Sequence, residues 1–260
     1  MATIENKKQS SADKTLEILM ALGELGMASG GGVRISDLVR HVGHPRPTVH
    51  RLLGELKRFG FAGQDTKTLE YRLGPKILLL SAQCLGGLDL KQAAQSRLGN
   101  LVEEVGGTGH IGVLDDVNVI YIDKVEARSG ARLASSIGQR RRAVSTALGK
   151  AILAFSDAET VDDVLSNGLG KATPNSISDP VAFRNELVSV ARSKSAIDDE
   201  ECEIGIRCAA APVFDNTGKV IAAISVSLIA GQISRSDLKK LADRVSVVAE
   251  AISADLGAPA

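Results

Sequence analysis

Arg46, Thr48, His50 and Arg51 are side chains of the types that hydrogen-bond to bases, and they fall within six residues of one another. They follow Gly43-His44-Pro45, and Val49, Leu52, Leu53 and Leu56 recur among and after them at i, i+3, i+4 and i+7. That spacing predicts a helix over 47–59 with its apolar face on a domain and Pro47, Arg51, Gly54 and Arg58 on the other, His50 beside them. A helix so divided fits the DNA major groove, about 12 Å wide, where Arg can donate two bonds to guanine. Arg34 lies just before the preceding helix, and Lys67 and Arg72 lie on a hairpin placed like a wing touching phosphates. The same pattern also describes an ordinary three-helix fragment with a solvated basic face, and residue types alone leave both readings open.

A second set of reactive types is spread through the later sequence. The period of two along 220–229 puts Ser225 and Ser227 on one face with Ala223, and Ile224, Val226 and Leu228 on the other. Two hydroxyls beside small residues can line a wet cavity, or they can mark the solvent side of an antiparallel sheet. Cys208 and His110 have the types of a nucleophilic dyad. With Cys202 and Asp198 they also have the types of zinc ligands. No spacing supports either arrangement, so we expect no enzyme and no metal, with Cys208 lining a pocket as a small, soft side chain. The run Asp198-Asp199-Glu200-Glu201 is expected to be solvated. Residues 107–112 satisfy GxGxxG, but the loop follows a helix and enters a strand, the reverse of what a pyrophosphate requires. We expect no cofactor.

The elements that must position these groups can be read along the chain. Asp13 can cap a helix through about Leu25, with Leu16, Leu19, Leu22 and Leu25 as its stripe, broken by Gly30-Gly31-Gly32. Ser36 can cap a short helix over 37–42, ended by Gly43 and Pro45. Strands over 61–64 and 69–73 flank the turn at 65–68. Pro75 suits the first turn of a linking helix whose apolar stretch is Ile77 to Leu80. Beyond it come a helix over 90–105, strand pairs 111–114 with 119–123 and 205–214 with 220–229, and helices over 148–155, 158–165, 180–194 and from Ser234 onwards. The last should pack along a sheet. The fold class is α+β, with domains at 11–74 and 90–257 joined by a linker helix over 75–89.

Composition narrows the function. The 260 residues hold 31 basic and 31 acidic side chains, so a uniformly basic nucleic-acid coat is excluded. Residues 1–74, however, carry 11 Lys or Arg against 8 acids, leaving the basic excess where the helices are. Aromatics at 3% with no Trp supply few rings for stacking single strands, which leaves duplex or small-molecule binding open. The N-terminal MATIENKKQSS has no apolar signal core, and the longest apolar run, 220–230, is too short to span a membrane, so we expect a cytoplasmic chain with no membrane partner. Three separated cysteines suggest reduced thiols.

Taken together, SADKTLEIL from Ser11, ISDLVRHVGHPRPTVHRLLGELKRFG over 35–60, YIDKVE over 121–126, TALGKA over 146–151, DDEE over 198–201, CAAAPVFD over 208–215 and VIAAISVS over 220–227 resemble the isocitrate lyase regulator (IclR) family, in the family's order. The likeness extends from Ser11 to about Ala251. It implies an N-terminal winged helix-turn-helix that binds double-stranded operator DNA, and a C-terminal GAF-like α/β domain, with an antiparallel sheet, that binds a small organic acid. It also implies a homodimer or a pair of dimers. Carried across, the family's ligand contacts fall on Asp198, Cys208, Ser225 and Ser227, with backbone amides at Ala147 and Leu148. Where the family usually shows R-x-P-L-H, this chain has Arg140-Arg141-Arg142-Ala143-Val144-Ser145, and Lys194 replaces a usual Gly. Arg141, at least, is expected to pair with an anionic effector; a solvated basic turn is the bland alternative.

Overall fold

The computed structural model describes residues 9–29, 31–85, 90–129 and 133–259. The expectations for the first eight residues, Gly30 and linker residues 86–89 lie outside them. The chain divides into two compact units, residues 1–87 and 88–260.

In the first unit, α1 spans Ser11–Ser29. Its cap is Ser10 and not Asp13: the Ser10 hydroxyl accepts from the Asp13 N–H at 3.1 Å, and the Asp13 carboxylate accepts from the Ser10 N–H at 2.8 Å, a reciprocal capping box. Ile18, Ala21 and Leu22 are its buried residues, whereas Leu16, expected in the stripe, is exposed. Helix α2 covers Ile35–Val42. Ser36 does not cap it; the N-cap is Arg34, whose carbonyl accepts from Asp37 and Leu38. Gly43 ends it at φ 69°, a left-handed position that suits glycine, and its N–H returns to the Val39 carbonyl. Helix α3 covers Arg46–Arg58, and its Val49, Leu52, Leu53 and Leu56 share one core with Ile18, Leu22, Leu38 and Tyr71. Strands β1 (Ala62–Gln64) and β2 (Tyr71–Leu73) pair antiparallel, and Val33 bridges to Tyr71. The Asp65 carboxylate accepts from the N–H groups of Lys67 and Thr68 and so shapes the hairpin tip. Helix α4 runs over Lys76–Leu85.

The second unit begins with α5 (Leu90–Val105), followed by β3 (Thr108–Asp115), β4 (Asn118–Glu126) and β5 (Arg140–Arg142). A 3-10 turn at Ala143–Ser145 leads into α6 (Ala147–Leu153). Then come α7 (Ala158–Ser166), α8 (Pro180–Ser193), β6 (Ala196–Asp199), β7 (Ile206–Phe214), β8 (Val220–Ile229) and α9 (Arg235–Asp255). The six strands form one antiparallel sheet, ordered β5-β4-β3-β8-β7-β6. Ile111, Ala209, Ala211, Ile224 and Val226 face α5 and α9 in one core, where α9 packs along the sheet as its spacing requires. Ala210 and Ala223 face α6 and α8 in the other.

Sequence reading missed β5 and β6, the two edge strands, because three or four charged or mixed residues carry no legible period. Lys194 takes the place of glycine after α8 at φ 50°, so the turn survives at a strain of roughly 1–2 kcal/mol. Among the described residues no helix is long and apolar enough to cross a membrane.

Candidate nucleic-acid interface and buried cavity

In the first unit the burial of Val49, Leu52, Leu53 and Leu56 leaves the rest of α3 facing outward. Arg46, His50 and Arg51 are exposed and Thr48 is half-buried, so the first two turns carry the groups expected to meet bases. Among the described residues neither Arg46 nor Arg51 is ion-paired, the Arg51 guanidinium only approaching the Ser11 hydroxyl at 3.5 Å. Arg34 is also exposed but is 3.4 Å from the Glu70 carboxylate. Lys67 and Arg72 are exposed on the hairpin. No pattern in the sequence signals what holds the turn between α2 and α3: His44 Nε2 sits 2.7 Å from Glu17 Oε2 on α1, with the imidazole largely buried.

In the second unit a cavity of about 70 Å³ opens between the sheet and the start of α6. Its walls include Ser225 and Ser227 of β8, Cys208 of β7, Asp198 of β6, Arg141 of β5, and Ala147 and Leu148 of α6. Every effector contact expected from sequence therefore meets around one space. Also on its walls, and missed from sequence, are His110, Tyr121, Leu133, Ala134, Ser135, Thr146, Cys202, Glu203 and Ile206. Their signal was available in part, since β3 pairs with β8 and sets His110 opposite Ser225.

Local geometry explains each wall. Ser225 and Ser227 are 2% and 5% exposed, which excludes the solvent-side reading of that strand face. Thr146 caps α6 by accepting from the Gly149 N–H at 3.1 Å, which leaves the Ala147 and Leu148 amides at the open end of the helix. Gly149 is required there, because an added Cβ would overlap the Ala143 backbone as the 3-10 turn folds over the helix. Along β5 the alternation of faces divides the three arginines. Arg140 pairs with Asp115 at 2.7 Å, Arg142 donates to the Gly168 carbonyl, and Arg141 alone of the three lines the cavity, 3.2 Å from Glu203.

The acidic run is not a solvated patch, contrary to expectation. Asp198 and Glu201 are buried; Asp199 pairs with Arg207 and Arg235, each at 2.6 Å, and Glu200 also reaches Arg207. Asp198 Oδ1 accepts from the N–H groups of Glu201 and Cys202, and burial still pushes its carboxyl up to about 7. Behind it Lys150 is fully buried between Glu201 at 2.7 Å and Glu186 at 3.0 Å. Burial opposes its charge, but the two carboxylates outweigh that and hold the ammonium protonated.

The cavity is poorly suited to nucleophilic chemistry. Burial pushes the Cys208 thiol well up, and its Sγ lies 2.9 Å from Ser227 Oγ. Burial raises the Cys202 thiol as well. Burial, with Lys124 adding to it, brings His110 down to about 4, so the imidazole is neutral near pH 7, with Nε2 at 2.7 Å from Ser135 Oγ. Among the described residues no cluster of three or more His, Cys, Asp or Glu could hold a metal.

A small winged helix-turn-helix unit followed by a six-stranded sheet with a polar cavity defines a DNA-binding regulator with a ligand-binding domain. The chain belongs to the IclR family of transcriptional regulators: the IclR helix-turn-helix domain matches residues 11–66, and the bacterial transcriptional regulator IclR C-terminal domain matches residues 82–254. It is 33% identical to the HTH-type transcriptional regulator KdgR of Escherichia coli K12 over 99% of this chain and 98% of that protein. It resembles the crystal structure of an IclR transcriptional regulator from Alicyclobacillus acidocaldarius with a TM-score of 0.79 at 28% identity, covering 95% of this chain and 99% of that one. An IclR homologue from Microbacterium hydrocarbonoxydans, complexed with 4-hydroxybenzoate, shares the fold with a TM-score of 0.80 at 22% identity, over 93% and 98% of the two chains. The matched relatives are transcriptional regulators.

Proposed function

We propose that residues 11–74 read a double-stranded operator through Arg46, Thr48, His50 and Arg51, with Arg34, Lys67 and Arg72 on the phosphates, and that the cavity in residues 90–257 binds a small organic carboxylate. The observation that carries the ligand half is the convergence of Arg141, Asp198, Cys208, Ser225, Ser227 and the start of α6 on one cavity. The complex of a same-fold homologue with 4-hydroxybenzoate agrees in ligand class. Catalysis finds no support, because Cys208 and Cys202 both have raised thiols and the His110 ring beside them is neutral and hydroxyl-bound.

The chain works as a homo-oligomer, a dimer or pair of dimers. Leu78, Leu79 and Leu80 stand exposed on α4, an apolar stretch in the linker region that a second copy would cover. Effector binding then changes DNA affinity only by the difference in its affinity for two arrangements of that assembly. Footprinting of duplex DNA upstream of its own gene at about 50 mM salt tests the reading. Protection with a steep log–log salt slope supports it; no protection and a shallow slope would defeat it.

A further inference from the structure

The charges around the cavity pose a problem for an anionic ligand. Among the described residues lining it Arg141 alone carries fixed positive charge, since His110 is neutral. That guanidinium is not free: its Nη2 lies 3.2 Å from Glu203 Oε2, and Glu203 lines the same cavity. An entering carboxylate therefore meets one neutralised cation with Asp198 close by, an arrangement that repels it unless one acid gives way.

The two partners are not equally fixed. Arg141 belongs to β5 and is held opposite Val119 by the strand ladder, with its side chain 32% exposed. Glu203 sits on the turn between β6 and β7, with its side chain 58% exposed. An ion pair this open contributes only about 0–1 kcal/mol, so Glu203 can leave for water at little cost. Arg141 would then bind the new carboxylate through a fork of two N–H groups, the geometry it favours.

We propose that Glu203 is a built-in competitor for Arg141, which the carboxylate of the effector must displace. This rests on the reading of the cavity as a carboxylate site and adds a selection rule to it. A ligand is retained only if it carries an anionic group able to replace a tethered one, and its neutral isostere is rejected because the Arg141–Glu203 pair stays closed. Displacement also removes a restraint from the turn at 200–206, where Glu200 and Gly205 take positive φ and the Ile206 N–H returns to the Glu203 carbonyl. Ligand arrival is thereby coupled to the connection between β6 and β7.

The test uses the full-length chain and titrates acetate, benzoate and 4-hydroxybenzoate, each beside its uncharged amide, with thermal shift and calorimetry as readouts. At least one carboxylate should bind wild type while its amide does not. Glu203→Gln should lower that carboxylate's Kd about two- to fivefold. Arg141→Met should raise it about tenfold or more, and adding Glu203→Gln to Arg141→Met should then change nothing. An unchanged Kd in Glu203→Gln overturns the competitor, as does an equal tightening in the Arg141→Met background, which would signify diffuse charge repulsion. If no carboxylate binds wild type or Glu203→Gln, the carboxylate reading falls with it.

Discussion

Asp198 is where a ligand and a proton act on the same group. Burial holds its carboxyl up to about 7, while the Glu201 and Cys202 N–H groups and Lys150 pull the other way. Tyr121, Cys202, Cys208, Arg141 and Glu203 share its cavity. The folded value lies above the roughly 3.9 of an unfolded chain, so the stability this group contributes is complete below about pH 4 and is lost as pH rises through about 7. In urea denaturation from pH 4 to 8 that decline should appear as the difference between wild type and Asp198→Asn, because His110, held down at about 4, contributes stability that grows over part of the same range. A bound carboxylate favours the same neutral form. Its Kd should rise by up to about tenfold per pH unit above 7 in wild type and stay level in Asp198→Asn, with calorimetry in buffers of different ionisation enthalpy reporting one proton taken up. On the DNA side, Arg51→Ala should weaken binding to the operator by about 1–3 kcal/mol and leave random duplex affinity nearly unchanged. Equal losses on both would make Arg51 a phosphate contact.

Helix α6 shows how much of the site a sequence discloses. Thr146, Gly149 and Lys150 belong to one recognisable block, and they serve separately as cap, point of close approach and buried cation. Gly149→Ala should destabilise the chain by about 2 kcal/mol or more, because the new methyl meets backbone that cannot move aside, and a lowered denaturant midpoint would show it. Lys150→Met strands two carboxylates, one of them largely buried, and should cost about 3–5 kcal/mol, whereas replacing a surface lysine such as Lys239 should shift the midpoint negligibly. The helices with apolar periodicity and both long hairpins were legible because period and turn chemistry are local. The cavity face of β8 was legible as a face but not as buried, since hydroxyls suit water and an enclosed polar space equally. The acidic run misled for a related reason. Its partners, Lys150, Arg207 and Arg235, lie between 7 and 51 residues away, and long-range pairing leaves no trace in spacing.

For the whole molecule, equal numbers of acids and bases coexist with a basic excess in the DNA-reading region, so the remainder of the chain discourages non-specific adhesion while the reader retains its attraction. A weakly basic reader gains affinity when two copies bind together. We expect sedimentation to show a dimer or larger, and footprints to show two half-sites spaced about 34 Å or a multiple apart. A monomer with one half-site would contradict this. The effector domain's sheet also ends in oppositely charged borders, Arg140 to Arg142 on β5 and Asp198 with Asp199 on β6. Two copies could in principle join border to border and propagate without closing. The charges that would draw them together already have partners: Arg140, Arg141 and Arg142 are engaged by Asp115, Glu203 and Gly168, Asp199 by two arginines, and Asp198 by backbone. The local pairing that tunes the cavity thus also neutralises, within one chain, the opposite charges that the two borders of its sheet would otherwise present.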